Sequence, residues 1–447
     1  MQTKFTRNVL RFALPALVLL ATIEKAQALP AFAEQTGQSC AACHVGGFGP
    51  QLTPLGREFK REGYTLRGAA DFTLPVSAMA VASYVNSAKD QPGAPAPHYG
   101  TNDNATVDQL SIFLAGGYGD HFGGMAQFTY DGVGRAIAWD NLDVRLVDHA
   151  TVQGQDALFG LSLNNNPGVD DPWNTFPAWG FPYTGSDLVP SPAAGTVMSG
   201  ALAQTVLGVN SYAWWNSNIY TEAGLYFTPG NGFLRAMGTN SNDPGPLAGA
   251  APYLRAAYEK SYDDQNFEVG IFGFFPDLYP GNDRSVHAKD RYRDIGVDAS
   301  YQFTGTGDDI YQVNAIYTHE TQSLDASHLL LASARKNTLN DFRIDASYYW
   351  HNEIGGTVQF FDTWGTADPL LYADDSTFKP DSSGFLFQVD GTPFGVEPSG
   401  LGIRFNIRVG VQYWVYTKFD GASSNYNGSG RNASDNNTLR LFAWVAL

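Results

Sequence analysis

From residue 76 to the end of the chain, hydrophobic and polar positions alternate with a period of two. Between residues 294 and 303, for example, apolar side chains occupy the odd positions, whereas polar side chains or glycine occupy the even positions. The alternating runs mostly reach about ten residues or more, whereas strands of soluble β-sandwiches usually span about 5–6 residues. Alternation over this length is typical of transmembrane β-strands, which present apolar side chains to lipid and polar side chains to the lumen.

The pattern predicts an all-β fold, a transmembrane antiparallel β-barrel of about sixteen strands. The predicted strands lie at residues 77–87, 107–118, 122–132, 138–148, 155–165, 202–213, 217–228, 250–261, 266–276, 290–304, 309–320, 340–352, 357–365, 383–392, 401–417 and 437–447.

The predicted connections between these strands alternate between long loops and short turns, with one short exception at residues 133–137. Bacterial outer-membrane barrels have long extracellular loops and short periplasmic turns. An even number of strands returns both ends of the barrel to the periplasmic side, where segment 437–447 supplies the closing strand. The sequence therefore predicts a barrel domain over residues 76–447 in the bacterial outer membrane, in contact with its lipid.

The composition agrees with a membrane barrel and restricts the partners. The chain contains 29 Phe, 23 Tyr and 9 Trp, and aromatic girdles at the two membrane interfaces would account for this excess. The formal net charge of -17 argues against nucleic acid as a partner, because like charges repel. Metal cations and basic proteins are compatible with this charge, although an acidic surface also simply keeps a protein soluble.

The only two cysteines of the chain are Cys40 and Cys43, and His44 follows directly. This spacing is typical of one covalently bound haem c, in which two thiols bond the porphyrin and the next imidazole is the proximal ligand of the iron. The alternatives are a lone disulfide, a thioredoxin-like redox pair and half of a zinc site. A redox pair requires a βαβ context and a zinc site two further ligands, and neither is nearby in the sequence.

The first 28 residues have the features of a secretory signal peptide. Lys4, Arg7 and Arg11 precede an apolar run over residues 12–21, and small residues at 26–28 suit a cleavage site. Because haem c is attached outside the cytoplasm, an export signal and the cysteine motif support each other. The apolar run is shorter than the ~20 residues that a spanning helix needs.

Residues 29–75 form the predicted haem segment, which is too short to bury a haem by itself. We therefore expect it to plug the lumen of the barrel. Thr53 and Pro54 predict the start of a short helix, and Gly63 its end. Leu55 and Phe59 share one face of that helix and are candidates for packing against the porphyrin or against protein. Nearby basic side chains could neutralise the propionates or form a solvated helix face; they are Arg57, Lys60, Arg61 and Arg67.

The spacing does not assign a sixth ligand to the iron. Met125 and His351 face the lumen on predicted strand phase, Met79 is close to the haem motif in sequence, and His98 lies in a predicted loop. A methionine would raise the reduction potential relative to a second histidine. We retain Met79, Met125, His98 and His351 as candidates.

The combination of an export signal, one haem motif and a barrel resembles the fused monohaem cytochrome–porin family of bacterial outer membranes, which includes iron(II) oxidisers. The resemblance is sharpest over residues 35–44, in the Gly-Phe-Gly-Pro segment at 47–50 and in Leu-Gly-Arg-Glu-Phe-Lys at 55–60. It implies a haem-bearing plug that passes electrons from an extracellular donor, with iron(II) as the expected one, to a periplasmic cytochrome or cupredoxin. By position, it assigns the covalent links to Cys40 and Cys43 and the proximal ligand to His44.

Electron transfer across the outer membrane is therefore the predicted function. If the chain is an enzyme, it is an extracellular iron(II)-oxidising oxidoreductase of the iron:cytochrome c type. The alternatives are a diffusion porin whose haem is a structural or sensory plug, and a haem peroxidase-like enzyme. The sequence contains no nucleophile triad, phosphate-binding loop or zinc motif that would favour a hydrolase.

Overall fold

The chain folds around one closed antiparallel sheet in a computed structural model that describes residues 30–68, 74–305 and 309–447. The sheet has 17 strands, of which Asp277–Leu278 is only two residues long. The other sixteen form the barrel, because the first strand pairs with both the second and the last. The predicted all-β barrel of sixteen strands is thus confirmed. The signal peptide predicted at residues 1–28 lies outside the described residues.

The elements are numbered in chain order. The barrel strands are β1 (Val76–Ser87), β2 (Asn104–Tyr118), β3 (Phe122–Asp131), β4 (Ala136–Val152), β5 (Gln155–Asn164), β6 (Leu207–Trp215), β7 (Ile219–Phe227), β8 (Ala251–Tyr262), β9 (Gln265–Phe274), β10 (Asp290–Phe303), β11 (Ile310–Leu324), β12 (Lys336–Trp350), β13 (Ile354–Gly365), β14 (Ser382–Gly391), β15 (Asn406–Lys418) and β16 (Thr438–Ala446). The helices are α1 (Pro30–Thr36), α2 (Cys40–Cys43), α3 (Pro54–Arg61), α4 (Asn231–Ala236) and α5 (Asp325–Leu331), with short 3-10 turns at Val45–Gly47, Val197–Ser199, Pro280–Asn282 and Ala433–Asn436. Within the described ranges, no helix is both long enough and apolar enough to cross a membrane.

The outer surface of the barrel is apolar. On β2, Leu110, Ile112 and Leu114 are exposed, whereas Ser111 and Phe113 between them are buried. The same alternation recurs around the barrel, and inward positions include many charged and polar side chains. A closed sheet with an apolar outer face satisfies its backbone hydrogen bonds internally and suits a lipid environment. The protein is a bacterial outer-membrane β-barrel.

The connections follow the predicted alternation of long loops and short turns, except at residues 392–405, where β15 begins at Asn406 and not at residue 401 as predicted. The turns at 119–121, 153–154 and 351–353 lie at the same end of the barrel as the closing contact between Met79 and Ala446. By this topology we assign that end to the periplasm. The short connection at 132–135 is the expected exception among the outer loops.

The longest outer connection, residues 165–206, folds back into the lumen, and we call it the inner loop. It was predicted to end before residue 202, but β6 begins at Leu207. Leu202 and Val206 instead pack with Phe176 in a buried apolar cluster inside the barrel. Their burial within the loop explains why an apolar stretch resembled the start of a strand.

The described N-terminal residues 30–68 also lie in the lumen, and we call them the plug. The carbonyl oxygen of Phe48 accepts a hydrogen bond from Arg408 on β15 at 2.6 Å. Tyr64 donates its hydroxyl proton to Asp143 on β4 at 2.6 Å. The plug is therefore attached to separate parts of the barrel wall, with α1, α2 and α3 in the periplasmic half.

Candidate functional site in the barrel lumen

The two cysteines and the following histidine meet at one cavity. Cys40 and Cys43 are the first and last residues of α2, and both are free thiols. His44 leaves the helix in an extended conformation, with φ -123° and ψ 137°. All three side chains line a cavity in the lumen, whose volume open to the centres of water molecules is about 380 Å³.

The cavity lies between the plug, the barrel wall and the inner loop. Its lining is mainly apolar and aromatic, which is the environment that a porphyrin ring requires. The lining residues from the plug include Phe32, Phe48, Leu52 and Phe59, those from the wall include Val81, Phe113 and Trp444, and those from the inner loop include Trp179, Pro182 and Tyr183.

The segment after α2 packs tightly beneath this cavity. Thr53 caps α3 by accepting a hydrogen bond from the Gly56 amide at 3.3 Å, and its own hydroxyl donates to the Ala42 carbonyl at 2.6 Å. A Cβ atom on Gly56 would lie 2.2 Å from the Cys43 carbonyl oxygen. Glycine at this position is thus required for α3 to lie against α2, and Thr53 joins the two helices.

Burial keeps the side chains of His44 and Cys43 uncharged. It lowers the pKa of His44 to about 4, and the carbonyls of Gln51 and Gly49 only partly oppose this effect. Burial and the neighbouring Cys40 raise the pKa of Cys43 to about 11. A neutral imidazole is the form that binds iron. A raised thiol pKa is the opposite of the shift that activates a thioredoxin-like cysteine.

One ring nitrogen of His44 is left without a well-formed hydrogen bond within the described part of the chain. Its Nδ1 is buried and has no hydrogen-bond partner of good geometry among the described residues. In haem proteins the ring nitrogen opposite the metal commonly donates to a carbonyl or a carboxylate. Together with the two thiols and the apolar lining, the imidazole fits the donor set that haem c requires.

The structure places two of the four candidates for a sixth ligand at the cavity and the other two elsewhere. Met79 on β1 and Met125 on β3 both line the same cavity as His44. His98 is an exposed residue of the outer loop 88–103. His351 does not face the lumen as its predicted strand phase required, because β12 ends at Trp350 and His351 adopts a turn conformation with φ 50°. The structure thus brings the two methionines to the site and leaves both histidines outside it.

The charged face of α3 differs from the predicted solvated surface. Arg57 donates to Asn266 on β9 at 2.7 Å and to Gln302 on β10 at 2.9 Å. Arg61 lies 3.4 Å from Glu259 on β8. These side chains are buried, so they fix α3 to the barrel wall. Their i and i+4 spacing on one helix face was the signal that sequence reasoning missed.

The two apolar residues of α3, Leu55 and Phe59, lie in different surroundings. Phe59 lines the cavity and packs against the ring of Phe32, with centroids 4.9 Å apart. Leu55 is 38% exposed and is not among the residues that line the cavity. Of the two candidates for packing against the porphyrin or against protein, only Phe59 therefore lies at the cavity, and Leu55 is largely exposed.

The inner loop supplies a part of the site that the sequence did not predict. Lys60 of α3 donates to the carbonyls of Val169 and Asp171 at 2.7 and 2.6 Å and to the Asn174 side chain at 2.8 Å. Burial lowers the pKa of Lys60 to about 8. The plug and the inner loop therefore meet across the lumen and close the cavity between them.

The alternative metal and redox interpretations of the cysteines find no support in this arrangement. Across residues 30–68, 74–305 and 309–447, no group of three or more His, Cys, Asp or Glu side chains could hold a metal ion. The half-site for zinc is thus not completed within this part of the chain. The one-turn helix α2 also lacks the βαβ surroundings of a thioredoxin-like pair.

The comparisons with known proteins identify no family. No family model and no curated protein matches the chain. Among solved structures, the outer membrane channel DcaP of Acinetobacter baumannii has 11% sequence identity and a TM-score of 0.44, with 86% of this chain and 99% of DcaP covered. The anion-selective porin of Comamonas acidovorans has 10% identity and a TM-score of 0.43, with 83% and 99% covered. OmpT of Vibrio cholerae has 8% identity and a TM-score of 0.41, with 85% and 100% covered.

Proposed function

We propose that this protein transfers electrons across the outer membrane by means of one haem c held covalently in the barrel lumen. The observation that supports this most strongly is the convergence of Cys40, Cys43 and His44 with Met79 and Met125 on one apolar cavity. When bound, haem c supplies a one-electron redox centre whose potential depends on its axial ligands and its surroundings. The resemblance to the fused cytochrome–porins points to the same function.

The residues of this chain would have separate roles toward that group. Cys40 and Cys43 would form its thioether links, His44 would be the proximal ligand, and Met79 or Met125 would be the sixth. The aromatic lining excludes water, which favours a high potential and a small reorganisation on electron transfer. A centre in the lumen of a membrane band only ~25 Å thick lies within roughly that distance of both sides.

The donor is proposed to be extracellular iron(II) or another reduced species, and the acceptor a periplasmic cytochrome or cupredoxin. An outer vestibule borders the haem cavity and shares the lining residues Gln109, Asp140 and Pro182 with it. Its remaining walls include Asp131 and Asp187, and also Asp108, which is paired with Arg440 at 2.9 Å. Carboxylates lining a narrow vestibule raise the local concentration of cations, which suits a metal-ion donor. In this role the protein is an iron(II):cytochrome c oxidoreductase.

The acidic pair Asp170 and Asp171 does not serve this role. Asp170 and Asp171 lie in the inner loop and are buried. Asp171 is paired with Arg255 at 3.1 Å and also accepts a hydrogen bond from the Thr175 hydroxyl at 3.0 Å. These carboxylates hold the inner loop in place and are not available to an ion arriving from outside.

A diffusion porin is the second candidate, and the barrel with its outer vestibule of about 760 Å³ favours it. A peroxidase-like enzyme is the third, and it requires an open coordination position on the iron. The plug and the inner loop both lie in the lumen beneath the vestibule, which favours electron transfer over solute flux. The three functions differ in what they require of the iron and of the lumen.

Spectroscopy of the purified protein in liposomes separates these functions. Electron transfer predicts a low-spin, six-coordinate haem that is reduced when iron(II) is added outside and reoxidised by a carrier enclosed inside. Failure of iron(II) and of other extracellular reductants to reduce the haem would refute the proposal. A five-coordinate resting haem would favour the peroxidase, and solute flux with the haem in place would favour the porin.

A further inference from the structure

The periplasmic side of the haem motif presents an apolar patch to solvent. It consists of Ala41 and Ala42 of α2, Leu55 of α3, and Val396 and Leu401 of the turn at 392–405, and we call it the docking patch. Leu55, Val396 and Leu401 are 38%, 37% and 61% exposed. Large apolar side chains with this exposure at a polar end of a membrane barrel indicate a contact surface.

The docking patch is held rigidly around the two cysteines. The Ala41 amide donates to the Gly395 carbonyl at 2.9 Å, so Val396 adjoins α2 directly. The side chain of Asn352 donates to the carbonyls of Ala41 and His44 at 3.1 and 2.9 Å. The part of the patch formed by Ala41, Ala42 and Val396 thus lies beside the two cysteines.

The charge around this patch is negative. Glu58 is exposed one turn after Leu55 on α3, and Glu397 follows Val396. Glu353 is half-buried in the turn that contains Asn352. Along the described residues of the turns at 304–309, 351–353 and 392–405, the only Lys or Arg is Arg404, which is buried and paired with Glu34. A ring of carboxylates with little compensating positive charge attracts a basic partner.

We propose that the docking patch binds a small, soluble, basic electron-carrier protein of the periplasm, which contacts the patch with an apolar surface surrounded by lysines. This inference rests on the proposed function and specifies its acceptor. The apolar residues supply contact area that excludes water, whereas Glu58, Glu353 and Glu397 orient the carrier and accelerate its encounter. The carrier would then bind over α2, on the shortest route from the lumenal site to the periplasm.

The test measures binding of the purified haem-loaded protein to a zinc-substituted basic cytochrome c, which cannot accept electrons from it. An acidic cytochrome c serves as the second probe. The test variant carries Glu58→Lys, Glu353→Lys and Glu397→Lys. The control variant carries the same charge reversal on the outer loops, at Asp243→Lys, Asp283→Lys and Asp374→Lys. Haem absorbance and barrel mobility on gels show whether each variant is folded.

We expect the periplasmic reversals to weaken binding of the basic probe at least about tenfold at low salt, and the outer reversals to change it less than about twofold. A second variant, Leu401→Asp, leaves the acidic ring intact and should also weaken binding. Equal effects of the two triple variants, tighter binding of the acidic probe, or coverage of the patch by a second copy of this chain would overturn the proposal.

The outcome is distinguishable from failure of the proposed function, because the zinc probe reports binding alone. Iron(II) reduction of the haem without binding of the basic probe would refute the docking patch only. Binding of the basic probe without any reduction by an extracellular donor would refute the proposed function only.

Discussion

At the scale of single residues, burial keeps the histidine and the thiols of the proposed haem site neutral. The pKa of His44 falls to about 4 and that of Cys43 rises to about 11, in both cases chiefly because the residue is buried. A neutral imidazole binds iron at physiological pH, and protonated thiols are not poised for disulfide exchange. The residue types and the apolar surroundings are therefore both compatible with covalent attachment of a haem.

Replacing both cysteines tests that attachment. In a Cys40→Ala/Cys43→Ala variant we expect no haem to remain with the polypeptide after denaturing electrophoresis, because both thioether links are lost. Haem staining of the gel measures this, and each single variant should retain one link. A His98→Ala variant is the control and should stain like the unmodified protein. Stained haem in the double variant would contradict the assignment.

The sixth ligand is tested by replacing the two methionines separately. We expect either Met79→Ala or Met125→Ala to convert the low-spin haem to a high-spin or weakly ligated form and to lower its reduction potential, because methionine ligation raises the potential. A redox titration followed by absorbance measures both effects. His98→Ala and His351→Ala are the controls. An unchanged spectrum in both methionine variants would remove methionine from the coordination sphere.

At the scale of elements, α3 joins the haem segment to the rest of the molecule. Its start at Thr53 and Pro54 was predictable, because a capping hydroxyl and a proline at the first position are local signals. The partners of Arg57 and Lys60 were not predictable, because residues more than a hundred positions away supply them. Local chemistry fixes where the helix begins, but only the closed barrel determines which face becomes buried.

The anchoring of α3 can be tested at Arg57. An Arg57→Met variant removes a buried cation from Asn266, Gln302 and the nearby Glu259, and we expect a loss of roughly 3 kcal/mol in the stability of the plug. Faster proteolysis between residues 62 and 75 in the folded barrel would measure the release of α3. The exposed Arg67→Met serves as the control. If the Arg57→Met and Arg67→Met variants are equally resistant to proteolysis, the buried contacts of Arg57 do not hold the plug.

At the scale of the whole molecule, the sequence predicts the strands of the barrel better than it predicts the segments inside the lumen. Alternation with a period of two located all sixteen strands, because each strand faces lipid on one side along its whole length. The inner loop has no such period, and its position depends on contacts such as that of Thr175 with Asp298 on β10 at 2.7 Å. Two cysteines and a histidine suggested the proposed haem site, whereas the cavity around them is formed only by the barrel, the plug and the inner loop together.

The two segments inside the lumen, the plug and the inner loop, determine whether the barrel acts as a channel. The plug occupies the periplasmic half of the lumen, and the inner loop lies above it. An unobstructed barrel of this size holds an aqueous channel. We therefore expect the intact protein in a planar bilayer to conduct at least about tenfold less than a variant without residues 30–68. The Cys40→Ala/Cys43→Ala variant is the matched control, since it keeps the plug and its anchors at Arg57 and Lys60 but cannot hold haem covalently. It should remain closed. If the intact protein and the deletion variant conduct equally, the plug does not obstruct the lumen and the diffusion porin becomes the better interpretation. If only the cysteine variant opens, the haem itself, rather than the anchored helix, closes the barrel.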